Sequence, residues 1–165
     1  MDMAEDQPHL NSHNKQEYPP MHTAEHLLNQ TMVRLFGCPR SRNAHIERKK
    51  SKISFDLPQE PTAEQVADIV RRMNALIQAD LPVRYEFVRI DEAPPGLALD
   101  RLPDDASETL RLVRIGDYDL CPCIGRHVEH TAQLGEFILL GTNWDAERHS
   151  FRLRFKLAPQ WDEQA

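Results

Sequence analysis

Two pairs of potential metal ligands stand out, far apart in the chain. The first is His22 and His26, within Met21-His22-Thr23-Ala24-Glu25-His26-Leu27-Leu28; the second is Cys123 and His127, within Cys123-Ile124-Gly125-Arg126-His127. Both pairs have the i, i+4 offset, which on a helix puts the side chains on one face with roughly 6 Å between Cβ atoms. Imidazole nitrogen and thiolate sulfur are donors that Zn2+ prefers, and four of them complete a tetrahedral shell. The pattern is read as a single Zn2+ clipping a helix to a distant loop. Four protein ligands describe a closed structural zinc, whereas a catalytic zinc keeps a position open. Spacing leaves both roles available.

Other residues compete for the ligand role. His9 and His13 share the same offset but lie in a polar stretch with no apolar stripe to hold a helix, so spacing by itself is weak evidence. His45 in a basic connection and His149 before the last expected strand read as surface residues. His130, three positions after His127, reads as a pocket or substrate contact. Cys121 is the main competitor of Cys123, because alternate residues of an extended segment share a face. Cys123 is preferred because its offset to His127 mirrors that of the histidine pair.

The elements that must carry these residues can be read in order. Residues 1–17 are polar and aperiodic, an expected tail. Pro19-Pro20 opens a helix expected over residues 21–36 and ended by Gly37. Its apolar stripe of Ala24, Leu27, Leu28 and Leu35 leaves His22 and His26 on the other side, near Val33 and Phe36. A helix apolar on two sides with paired imidazoles on one is the wall of a cleft. Residues 39–52 carry Arg40, Arg42, Arg48, Lys49, Lys50 and Lys52, either an ordinary solvated loop and edge strand or a phosphate contact. Ile53, Phe55 and Leu57 alternate as a strand. Thr62 and Gln65 form a capping-box pattern before an amphipathic run of Val66, Ile69, Val70, Met73, Leu76 and Ile77, a core helix without chemistry. Further strands are expected at 83–87, 110–115, 137–140 and 151–157, with a long loop over 91–105. Two main helices on a mostly antiparallel sheet give an α+β two-layer domain.

The 165 residues suffice for one core without staples. A net charge of −6 argues against a general nucleic-acid coat but not against a local basic surface. Three cysteines make no disulfide framework and fit a reducing compartment. No signal-length or membrane-length apolar run is present, so a cytoplasmic protein without membrane association is expected.

The paired motifs, in this order, resemble the editing domain shared by alanyl- and threonyl-tRNA synthetases and by free-standing trans-editing proteins of the AlaX type. The surrounding residues agree: His22-Thr23-Ala24 with His26-Leu27-Leu28, Leu81-Pro82-Val83, Val113-Arg114-Ile115-Gly116-Asp117-Tyr118, His127-Val128 with Thr131, and Leu134-Gly135-Glu136. The resemblance implies an editing domain over residues 18–158 followed by a tail at 159–165. It also implies hydrolysis of the ester joining a wrong amino acid, serine or glycine on tRNA(Ala), to the tRNA 3′ end. His22, His26, Cys123 and His127 would then hold Zn2+. Small amino acids are hard to reject by binding alone, which is why a second hydrolytic site is useful. Thr23, Asn43, Arg126 and His130 are the pocket candidates, and Arg40, Arg42, Arg48, Lys49, Lys50 and Lys52 the candidate contacts to the tRNA acceptor stem. A homodimer is allowed for. The alanyl pattern Cys-Gly-Gly-Thr-His is replaced by Cys123-Ile124-Gly125-Arg126-His127, which changes the pocket wall through Ile124 and Arg126. Two rivals are a structural-zinc module that binds tRNA or another partner without hydrolysis, and a zinc hydrolase of a small-molecule ester or amide.

Overall fold

The structure is a computed structural model that describes residues 18–95, 97 and 109–161. The chain runs α1 (Pro19–Phe36), β1 (Asn43–His45), β2 (Ser51–Asp56), α2 (Ala63–Gln78), β3 (Val83–Arg89), β4 (Thr109–Ile115), β5 (Asp119–Pro122), β6 (Phe137–Asp145) and β7 (Ser150–Leu157), with short 3-10 turns at Ile90–Glu92 and Thr131–Leu134. The α+β class holds, but the antiparallel strands divide into two sheets, β1-β2-β7-β6 and β3-β4-β5. The edge strand allowed for in the basic connection is β1, and β5 was not expected. Both are short and pair with β2 and β4 as local hairpins, too brief for an alternating pattern to show in the sequence. His9, His13 and most of the expected loop at 91–105 fall outside the described residues.

Helix α1 begins at the two prolines, whose fixed φ and missing N–H suit a first turn. It ends at Gly37, whose φ of 67° gives the left-handed cap that a Cβ would resist. Its first fourteen residues are buried nearly all round, including Met21, Thr23, Ala24, His26, Leu27, Leu28, Thr31 and Met32. A helix of this kind is central rather than surface-lying. One side of it enters the main core with Ile53, Phe55, Phe151, Leu153 and Phe155 from the larger sheet. The other side meets β5. Gln30 Nε2 donates to Asp119 at 2.8 Å, Thr31 Oγ1 lies 2.6 Å from Tyr118 Oη, and the Arg34 guanidinium donates to the Tyr118 carbonyl at 2.7 Å.

Helix α2 carries the expected reciprocal cap. Gln65 N–H donates to Thr62 Oγ1 at 3.1 Å and Thr62 N–H to Gln65 Oε1 at 2.8 Å. Ile69, Met73 and Ile77 form its buried line. Because the cap satisfies two otherwise orphaned donors, Thr62→Ala is expected to cost about 1 kcal/mol, lowering Tm by roughly 2–4 °C without affecting the metal cluster. Calorimetry on that variant checks it.

Beyond the expected domain edge, Trp161 packs edge-on against Tyr18 with ring centroids 5.6 Å apart. No helix among the described residues is long and apolar enough to cross a membrane.

Candidate metal centre

The first turns of α1 and the loop after β5 bring His22, His26, Cys123 and His127 together. One donor atom from each lies within 4.8 Å of the others. The rings of His22 and His127 stack at 4.5 Å, and His26 stands edge-on to both, 5.3 Å from His22 and 4.5 Å from His127. Cys123 Sγ is 3.5 Å from His22 Nε2. With Zn–N near 2.0–2.1 Å and Zn–S near 2.3 Å, the edges of a tetrahedral shell of three nitrogens and one sulfur come to about 3.3–3.6 Å, so a modest contraction would let one ion reach all four.

The outward nitrogens of all three imidazoles face partners that aim the other nitrogen inward. His22 Nδ1 lies 3.3 Å from the Arg126 carbonyl. His127 Nδ1 is 3.0 Å from Thr23 Oγ1, which also accepts the Val128 N–H at 3.2 Å. His26 Nδ1 faces Asp119 at 3.6 Å, an ion-pair separation rather than a hydrogen bond. The Nε2 of His127 is buried with no hydrogen-bond partner, an orphaned donor or acceptor of the kind a metal satisfies. Outer partners that fix the tautomer of ligating histidines are a regular feature of metal sites. The donor set therefore fits a soft or borderline divalent cation.

Charge is distributed accordingly. Burial pushes the Cys123 thiol up, but the adjacent His26 charge and the close approach of the His127, His22 and His26 rings outweigh it and lower its pKa far below the usual thiol range. Burial disfavours a charged His26, yet the thiolate and Asp119 raise its pKa above the ordinary value. His127 is pushed down to about 3, by burial first and then by the neighbouring His26 charge. Charge is thus favoured on His26 and Cys123 and disfavoured on His127. A divalent cation at the same point would take the thiolate and displace the His26 proton.

Asp119 supports this arrangement from beneath. Its carboxylate is fully buried, accepts from Arg40 at 2.7 and 3.3 Å and from Gln30 at 2.8 Å, and faces His26. Burial alone would raise its pKa, but His26 and the Arg40 guanidinium hold it at about 2. Arg40, expected as a contact to the acceptor stem, is turned inward with 12% of its side chain exposed. Of the other basic residues in that connection, Arg48 lies over the Tyr18 ring at 4.4 Å, while Arg42, Lys49, Lys50 and Lys52 are exposed.

A second clamp holds the Cys123 loop. Arg111 Nε donates to the Cys123 carbonyl at 2.7 Å and its terminal nitrogen to that of Gly125, while the guanidinium stacks on Tyr85 at 4.6 Å. The His127 N–H donates to Tyr85 Oη at 3.2 Å. Sequence reading missed Asp119, Arg111 and Tyr85. The strand register was the missing signal, because Val113 opposite Cys121 places Arg111 beside Cys123 one step further along.

The remaining candidates separate. Thr23 is buried and bonded to His127. Arg126 meets His22 through its carbonyl. Cys121 is buried on β5 opposite Val113, with Sγ toward the Pro122 carbonyl, and lies outside the four-donor group. His130 binds Asp80 at 2.5 Å instead of joining the cluster. Asn43 is exposed on β1 opposite Ser54. His45 is exposed against Glu47 at 2.9 Å. His149 has a φ of 52° and stacks on Trp144 at 6.0 Å.

Three histidines and a cysteine thus converge between a central helix and a strand-end loop of an α+β domain. Residues 110–152 match the family described as the threonyl and alanyl tRNA synthetase second additional domain. That match runs from β4 into β7, and the similarity to proteins carrying alanyl-tRNA functions extends over about three quarters of the chain. It is 34% identical over 122 residues to an alanine–tRNA ligase of Streptomyces avermitilis, covering 73% of this chain and 14% of that protein. It is 30% identical over 129 residues to the corresponding ligase of Idiomarina loihiensis, covering 78% and 15%. With the alanyl-tRNA editing protein Aarsd1 of Bos taurus it shares 33% over 127 residues, covering 76% and 28%. The matched segment is thus a minor part of each of these relatives.

Proposed function

We propose that residues 18–158 form a zinc-dependent aminoacyl-tRNA deacylase that hydrolyses mischarged tRNA, with serine or glycine on tRNA(Ala) as the substrate class, in the cytoplasm. The observation that carries this reading is the convergence of His22, His26, Cys123 and His127 within 4.8 Å, in a chain whose relatives include an alanyl-tRNA editing protein. When bound there, Zn2+ would supply a Lewis acid able to orient the amino group of the aminoacyl ester or polarise its carbonyl. The residues of the chain do the rest. Thr23 holds the His127 ring through its Nδ1, and the Asp119 carboxylate faces His26. Arg111 and Tyr85 fasten the Cys123–His127 loop to β4 and β3. Arg42, Arg48, Lys49 and Lys50 supply positive charge for the acceptor end.

Glu25 is a second carboxylate beside this cluster, with Oε1 3.7 Å from His22 Nε2, while the Asp119 carboxylate is taken up by Arg40. From there it can accept a proton from an attacking water. Glu25→Gln keeps the shape and removes the base. It is expected to lower kcat by about 10²-fold with metal content unchanged. An unaltered kcat would remove Glu25 from the mechanism.

The four-donor count favours a second reading, a closed structural zinc in a module that binds tRNA without hydrolysis. A panel of mischarged tRNAs, with metal content measured on the same preparation, tests both. Turnover of at least one mischarged species supports the deacylase. Tight binding with no turnover on any supports the module.

A further inference from the structure

The larger sheet has one face in the core and one face whose β7 side chains are exposed among the described residues. Along β7 the side chains alternate strictly, with Phe151, Leu153 and Phe155 buried and Arg152, Arg154 and Lys156 exposed. The register adds Lys52 from β2 directly opposite Arg154, with His45 of β1 beyond it and Gly141 of β6 on the other side. The next row is Asn43, Ser54, Arg152 and Asn143. Neither row holds a carboxylate; the acids Asp56 and Asp145 come only in the row after, beside Ser150.

Three features set this patch apart from an ordinary solvated face. Strand cations commonly guard a sheet edge, but β7 is an interior strand and needs no guard. Like charges directly opposite each other destabilise a sheet, and Lys52 faces Arg154 with no acid between. The four cations make no ion pair among the described residues, in a chain with a net charge of −6. The chain thus concentrates uncompensated positive charge where folding gains nothing from it. Arg154 is also seated: a Cβ added to Gly141 would fall 2.4 Å from its terminal nitrogen, so the guanidinium lies across the bare backbone of β6.

We propose that Lys52, Arg152, Arg154 and Lys156 form a phosphate-binding face for the duplex part of a nucleic acid, separate from the metal centre. On the proposed function, on which the choice of ligand rests, this is the stem of the tRNA whose 3′ end is edited. Alternate residues on one strand lie about 7 Å apart and cross-strand neighbours about 5 Å, so the face presents a strip of charge roughly 14 Å long. Such contacts position a backbone without reading bases.

Uncharged tRNA is the probe, with anisotropy titrations between 50 and 200 mM KCl on the full chain. R152A/R154A/K156A is expected to weaken binding by about 10–100-fold and to reduce the slope of log K against log salt by about two to three, close to one for each phosphate that is no longer neutralised. G141V, which only unseats Arg154, is expected to weaken binding several-fold. Circular dichroism melting shows whether each variant is folded, and R152Q/R154Q/K156Q serves if the alanine variant is not. Unchanged affinity and salt slope in the folded triple variant would overturn the proposal. So would binding to phosphatidylserine vesicles without binding to tRNA, or an altered oligomeric state with tRNA affinity intact. Failure of the deacylase reading is a different result: no mischarged tRNA hydrolysed, while the triple variant still loses tRNA binding.

Discussion

His26→Ala is expected to abolish metal binding and to lower deacylation by at least about 10³-fold, several kcal/mol in the barrier. His26 sits between the other two imidazoles, carries the raised pKa that stabilises the Cys123 thiolate, and is the ligand tied to Asp119. Cutting it back removes a donor and the link between the centre and its buried support. Cys123→Ser should behave similarly, since a serine hydroxyl does not ionise to match a thiolate. Cys121→Ser is the contrasting case. Cys121 lies on β5 outside the four-donor group, and its replacement is expected to leave one zinc per chain and turnover within about twofold. Metal analysis and single-turnover kinetics on the three variants check this directly. Stoichiometric zinc in His26→Ala would contradict the ligand assignment.

The second large effect is expected at Asp119. Replacing it with alanine leaves the Arg40 guanidinium buried and unpaired and strands the Gln30 amide. Breaking one half of a buried pair costs about 3–5 kcal/mol, here a fall in Tm of roughly 6–20 °C. Metal affinity should fall as well, by about 10–100-fold, because His26 loses the group that orients it. The double variant Asp119→Leu with Arg40→Met separates the two effects. Removing both charges should restore most of the stability while metal affinity stays low. If the double variant recovers both, Asp119 acts only on the fold.

The parts of this molecule legible in its sequence are those specified by neighbours. Gly37 after the apolar run marked the end of α1, and Thr62 with Gln65 marked the start of α2, because both caps are local hydrogen-bond devices. The two ligand pairs were readable for the same reason, each being set by a four-residue offset. Their convergence on one ion was inferred from the ligand types and the four-residue offsets, and the family resemblance agreed with it, but the fold contacts that bring the pairs together were not readable from spacing. Arg40 shows the limit most clearly. In the chain it is one cation in a basic run. Its role follows from the register that sets Asp119 at the start of β5, beneath α1, an arrangement built from contacts 79 residues apart. The basic face of β7 lies between these cases. Its alternation was visible as a strand pattern, but Lys52 joins it only once β2 pairs with β7. The division of the strands into two sheets is likewise a matter of long-range pairing that periodicity does not encode.

X-ray absorption at the zinc edge, on protein loaded with one equivalent of Zn2+, probes the shared centre itself. The expected spectrum is a shell of three nitrogens at about 2.0–2.1 Å and one sulfur at about 2.3 Å. A shell without sulfur, or a protein that takes up no zinc, would show that the two distant ligand pairs do not share an ion.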